Sequence, residues 1–195
     1  MPVWPVTQKR PGRFITLRRL MLMTARPTNI TNAAEKRDTP IVECSCLAAP
    51  PEVVWNRVKT MKGVNAELMP FVLMTYPAGQ NEFDGSQLRL GLPYFRSVLL
   101  MLGVIPFDLH TFVLERLVPN QGFLERSSSL VHREWMHERR LEPVEEGTRI
   151  TDRVVFCCRL PSLNFVFRPI VRFIFRHRHR RLRRHFGQVE TRRRV

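Results

Sequence analysis

The sequence predicts an α+β fold in which an antiparallel sheet of consecutive strands is closed by one long helix near the C-terminal end. Three observations predict it. Residues 130–141 alternate with period two, which places Val131, Arg133, Trp135, His137 and Arg139 on one face and His132, Glu134, Met136, Glu138 and Arg140 on the other. Residues 147–160 repeat the alternation, with Thr148, Ile150, Asp152, Val154 and Phe156 on one face, so a turn at Glu145-Glu146 makes the two segments a hairpin. Leu163, Phe167, Ile170, Ile174, Leu182 and Phe186 recur at three- and four-residue steps, which is one helical stripe. In the hairpin register Arg139 lies opposite Asp152, His137 opposite Val154 and Trp135 opposite Phe156. An inward carboxylate is costly unless paired, and Arg139 is the partner that this register supplies.

The elements follow in chain order. Residues 1–40 are broken by Pro2, Pro5, Pro11, Pro27 and Pro40, and predict an irregular basic arm with a short amphipathic stretch at 14–23. Residues 41–47 alternate as a short strand. Pro51 and Glu52 suit a helix start, and Val53, Val54, Trp55, Val58 and Met61 carry that helix to Lys62, with Gly63 as its C-cap. A second short helix is expected over 65–69, stopped by Pro70. Strands are expected at 71–76 and 87–92, with a loop at 77–85 between them. Residues 93–103 fit a helix that begins at Pro93 and ends at Gly103. A long strand at 107–118 leads through the turn residues Pro119-Asn120-Gln121-Gly122 into a strand at 123–129. Pro169 belongs in the first turn of the final helix, or kinks it, and Gly187 ends it, leaving a basic tail over 188–195.

The chain has 195 residues, enough for one domain with tails, and a formal net charge of +15. That charge is uneven. Residues 1–38 hold 8 basic and 2 acidic side chains, residues 39–167 hold 13 and 14, and residues 168–195 hold 11 and 1. A neutral body between basic ends excludes a fold whose whole surface is built for nucleic acid, and leaves an end that touches RNA or an anionic membrane. The four cysteines, Cys44, Cys46, Cys157 and Cys158, have no zinc-finger spacing and predict small buried side chains in a reducing cytoplasm. The longest apolar run, residues 98–105, is far shorter than the ~20 residues of a spanning helix.

The segments Asn65-Ala66-Glu67-Leu68-Met69-Pro70, Pro106-Phe107-Asp108, Phe123-Leu124-Glu125-Arg126-Ser127-Ser128, Trp135-Met136-His137-Glu138-Arg139, Gly147-Thr148-Arg149-Ile150-Thr151-Asp152-Arg153-Val154 and Phe175-Arg176-His177-Arg178-His179-Arg180-Arg181-Leu182, with the order of elements, resemble the START-like or SRPBCC superfamily. The resemblance covers residues 41–187 and points to an uncharacterised, polyketide-cyclase-like bacterial branch. It implies a helix-grip fold: a curved sheet wrapped around the terminal helix, with two short helices after the first strand and an elongated cavity inside. It implies binding of a lipid, quinone or polyketide-like molecule there. It also implies that the first strand pairs with the last, bringing Cys44 and Cys46 near Cys157 and Cys158, where a disulfide or metal becomes conceivable.

Candidate ligand-binding residues are Trp55, Arg133, Trp135, His137, Arg139 and Asp152, with Val154 and Phe156 beside them and Phe167, Ile170 and Ile174 from the helix. Arg133, Trp135, His137, Arg139 and Asp152 read either as a polar network that sets strand register or as the polar end of an apolar pocket. Were the protein a cyclase-like enzyme, His137 would be the acid–base and Asp152 its orienting partner. No nucleophile, oxyanion donor or metal set accompanies them, so the expected function is non-catalytic binding without a cofactor or metal. The cluster Arg178, Arg180, Arg181, Arg183 and Arg184 is either a solvated face or a surface for anionic lipid or RNA. The expected place is the cytoplasm, or its membrane surface.

Overall fold

The computed structural model describes residues 39–83 and 88–189. The arm expected over 1–40, with its amphipathic stretch at 14–23, lies outside these residues except for positions 39 and 40, and the tail over 188–195 except for 188 and 189. The elements are β1 (Ile41–Leu47), α1 (Pro51–Val58), α2 (Met61–Leu68), β2 (Val72–Met74), β3 (Pro93–Met101), β4 (Ile105–Val118), β5 (Gly122–Ser129), β6 (His132–Val144), β7 (Gly147–Cys158) and α3 (Leu163–Phe186). Seven strands form one antiparallel sheet in the order β1-β7-β6-β5-β4-β3-β2. The sheet curls as a half-barrel against α3, and the architecture is helix-grip-like.

The hairpin register holds: Trp135 pairs with Phe156, His137 with Val154 and Arg139 with Asp152. One feature of β6 departs from simple alternation. His132 faces Cys158 and Glu134 faces Cys157, so Arg133 is an extra residue in a bulge. Across it the sides exchange, and His132 turns to the buried side while Arg133 is exposed.

Residues 93–103 form a strand and a turn, not the expected helix. The apolar run from Val98 to Leu100 has no helical partner, and β3 instead pairs along its length with β4. Leu102 and Gly103 take positive φ values of 54° and 76°, as the β3–β4 turn requires. The strand expected over 87–92 is absent at 88–92, which are loop and turn, and Gln87 lies outside the described residues.

The first helix stops at Val58, before Lys62. Thr60 opens the second helix, its Oγ1 accepting from the Gly63 N–H at 2.9 Å. Gly63 is therefore inside α2 rather than a C-cap, and it lets two backbones approach: a Cβ there would stand 1.9 Å from the Arg57 carbonyl oxygen. Pro169 sits in the second turn of α3, on an exposed flank. The Phe165 carbonyl there loses its intrahelical donor to water rather than to the core.

One core cluster joins α1 and α2 to the middle of the sheet, with Val54, Trp55, Val58, Met61, Phe112 and Leu114 buried. A second joins β7 to α3 through Val154, Phe156, Val171 and Phe175. No helix of the described residues is long and apolar enough to cross a membrane.

Candidate functional site

A cavity of about 150 Å³ lies between α2, the inner faces of β4, β5 and β6, and α3. Met61, Val64 and Leu68 line it from α2, Phe112 and Phe123 from the sheet, and Phe167, Ile170 and Ile174 from α3. Of the expected ligand contacts, Trp135, His137, Phe167, Ile170 and Ile174 line this space. The others are elsewhere. Trp55 is core packing beneath α1. Val154 and Phe156 back the wall, with Phe156 stacked 5.9 Å from the Trp135 ring. Arg133 points outward, and its Nη2 donates to Cys157 Sγ at 3.3 Å. Arg139 and Asp152 lie behind His137, outside the lining.

The polar groups fall into two clusters. The larger is centred on Arg139, which is 1 % exposed. Its Nε and Nη2 each donate to Asp152 at 2.7 Å, and its Nη1 and Nη2 donate to Glu67 at 3.0 and 2.9 Å. Arg178 Nε donates to Glu67 Oε2 at 3.0 Å, which ties α3 to α2. A relay reaches Asp152 from the other side. Arg183 donates to Ser45 Oγ at 2.8 Å, Ser45 Oγ lies 2.9 Å from His179 Nδ1, and His179 Nε2 donates to Asp152 at 3.2 Å. An arginine can only donate and a carboxylate only accept, so the two outer bonds of this relay have a fixed direction. His137 Nε2 donates to Asp152 Oδ1 at 3.0 Å while its Nδ1 stands 3.6 Å from Glu125 Oε2. His110 Nε2 donates to Glu125 at 2.7 Å.

Electrostatics follow from this packing. Burial raises the carboxyls of Glu67 and Asp152, but the guanidiniums overcome it: Arg139 and Arg178 hold Glu67 below its ordinary value, and Arg139 and His137 hold Asp152 well below. Burial likewise raises Glu125, and His110 and His137 reverse that. Burial disfavours the charged Arg139, and Asp152 and Glu67 more than compensate, so it remains a cation.

The smaller cluster is Asp108, Ser129 and His132. Asp108 Oδ1 accepts from the backbone N–H groups of Leu109 at 2.9 Å and Val131 at 3.1 Å. Ser129 Oγ accepts from the His132 N–H at 2.9 Å and lies 3.3 Å from His132 Nδ1, which stands 3.7 Å from Asp108 Oδ2. Burial raises Asp108, and the His132 imidazole, the Ser129 hydroxyl and the backbone N–H groups beside it bring it below its ordinary value. Among the described residues, His132 Nε2 and Asp108 Oδ2 are buried without a hydrogen-bond partner.

Sequence reading missed Glu67, Glu125, His110 and His132. For His110 and Glu125 the signal was available: Asp108, His110 and Phe112 alternate on β4, and Phe123 and Glu125 on β5, on the faces that carry the core aromatics. Arg178, expected on an exposed basic face, is buried, whereas Arg180, Arg181 and Arg184 are exposed. Arg181 donates to the Ala66 carbonyl at 3.1 Å. The cysteines do not converge. Cys44 pairs with Thr151 and Cys46 with Arg149, while β1 ends opposite Val154, short of Cys157 and Cys158. None of the four is in a disulfide, and among the described residues no group of three or more His, Cys, Asp or Glu side chains is arranged to hold a metal ion.

Comparison with known proteins gives a family and a fold. The family model described as Domain of unknown function (DUF8410) matches residues 45–186. Among solved structures, the chain is similar to protein CV1439 of Chromobacterium violaceum, at 14% identity over 77% of this chain and 99% of that one, with a TM-score of 0.56. A Rhodobacter sphaeroides protein gives 18% identity, 78% and 95% coverage and a TM-score of 0.56. Protein Ms6760 of Mycobacterium smegmatis gives 11%, 78% and 91%, and 0.54. At these identities the likeness is one of fold. No curated protein matches the chain.

Proposed function

The chain belongs to that DUF8410 family, whose description carries no activity, and we propose from its site that it binds a small, mostly apolar molecule without transforming it. The observation that supports this is the cavity: about 150 Å³, walled by aromatic and aliphatic side chains, with only a few polar atoms at its edge. A dry apolar space of roughly 150 Å³ accepts a benzene-sized guest. Among the lipid, quinone and polyketide-like classes this volume favours a single-ring compound. Catalysis by His137 fits poorly, because both of its ring nitrogens face buried carboxylates and neither is turned to a guest. Titration with toluene tests the reading. Saturable binding to the wild-type protein, abolished when Ile174→Trp fills the space, is expected; binding that is absent, or indifferent to the substitution, overturns it.

A second reading, contact with an anionic membrane, is favoured at the start of α3 and the β3–β4 turn over the C-terminal arginines. Phe165, Val104 and Leu102 are 88 %, 74 % and 57 % exposed. Phe173 ties α3 to that turn, its ring 4.9 Å from Phe71, whose carbonyl accepts from the Leu102 N–H. Arg172 and Arg176 are exposed on the same helix. Apolar insertion beside basic side chains is how a peripheral protein holds an anionic bilayer. Sedimentation with anionic vesicles is expected to fall in Phe165→Asp and to persist in Arg180→Gln/Arg184→Gln; the reverse would return the contact to the helix end.

A further inference from the structure

Two of the four buried side-chain atoms without a hydrogen-bond partner among the described residues, His132 Nε2 and Asp108 Oδ2, sit in one place beside the cavity. His132 is 7 % exposed and lines the cavity, within an aromatic nest of Trp135, Phe156 and Phe167 whose centroids lie 5.3–5.4 Å from its ring. Its Nδ1 edge faces Ser129 and Asp108. The Asp108 carboxylate can only accept, and beside it stand the His132 Nδ1 edge, 3.7 Å from Oδ2, and the Ser129 hydroxyl. Whichever ring nitrogens carry hydrogen, Nε2 is left without a partner inside the protein. A buried polar atom left unpaired is costly unless a guest group meets it.

We propose that His132 Nε2 is a polar recognition point of the cavity and that it hydrogen-bonds the hydroxyl of a phenol-like guest. This rests on the cavity reading above and narrows it. A neutral hydroxyl suits the site because the buried carboxylate of Asp108 already stands behind the imidazole. A carboxylate guest would add a second negative charge beside it. An apolar ring beside the hydroxyl fits the nest, where the imidazole already meets three aromatic rings edge-on. His132 is a positioning group for the guest in this scheme, and no bond is made or broken.

Phenol and toluene have nearly the same size and differ in the hydroxyl. Both are titrated into wild-type protein and into His132→Phe, with the cavity-filled Ile174→Trp as the blank. The ratio of phenol to toluene affinity is expected to fall about tenfold in His132→Phe while toluene binding is retained. An unchanged ratio overturns the role of His132 and leaves the cavity reading standing. Loss of saturable toluene binding in the wild-type protein overturns both. Should His132→Phe fail to fold, imidazole ¹⁵N resonances of the wild-type protein decide. A shift of His132 Nε2 with phenol and not with toluene supports the proposal, and no shift with either removes it.

Discussion

The two polar clusters are built from similar side chains and behave in opposite ways. Around Arg139 every buried atom is matched: two carboxylates take four of its N–H bonds, a second arginine shares Glu67, and three histidines reach Asp152 or Glu125. Around His132 two buried atoms stay unmatched. A closed network holds elements together, here β1, β5, β6, β7, α2 and α3. An open one stores unspent hydrogen-bonding capacity for something that arrives later. The contrast separates the part of the polar interior that maintains the fold from the part available for recognition.

The largest effect is expected from breaking the closed cluster. Arg139→Met leaves Glu67 and Asp152 as buried, uncompensated charges, and urea denaturation should show a loss of about 3–5 kcal/mol, or no folded protein. Substitution of Gly63 by alanine tests the close approach of α2 to Arg57. Overpacking there should cost about 1–3 kcal/mol in the same assay, and a neutral result would mean that the helices part easily. Acid comes next. The carboxyls of Glu67 and Asp152 lie below their ordinary values of 4.5 and 3.8 in the folded protein. Their contribution is therefore complete above about pH 4.5 and declines as pH falls below those values. Thermal midpoints should be insensitive to this network at higher pH and drop below that point, and Arg139→Met should flatten the acid limb. The smallest effect is expected at the open cluster. His132→Phe removes an unmatched atom and adds an aromatic ring, but it also takes a neighbour from the buried Asp108 carboxylate, which keeps Ser129 and two backbone donors, so stability should fall by about 1 kcal/mol. A large loss there would erase the distinction between the two clusters.

Legibility in the sequence followed the same division of local and distant causes. The β6–β7 register and the Arg139–Asp152 pair were readable because strand alternation and a two-residue turn are local rules. Glu67 was not, because nothing in its own helix marks one glutamate as buried; that is decided by Arg139 and Arg178, 72 and 111 residues away. Arg178 was taken for surface because its neighbours are arginines, and only the curl of the sheet decides which of them turn inward. The strand at 93–101 was misread as a helix because a short apolar run satisfies both periods, and its pairing with β4 decided between them. His132 was assigned to the outer face because a bulge leaves no mark in a pattern of alternating side chains.

That bulge makes one backbone residue the selector of what enters the chamber. Were the strand to pair without the bulge, Arg133 would take the inward place and the imidazole would turn outward, so moving the bulge by one position brings a different side chain to that place. Related chains could thus change the chemical taste of the same hollow by shifting one bulge, with every other wall residue untouched.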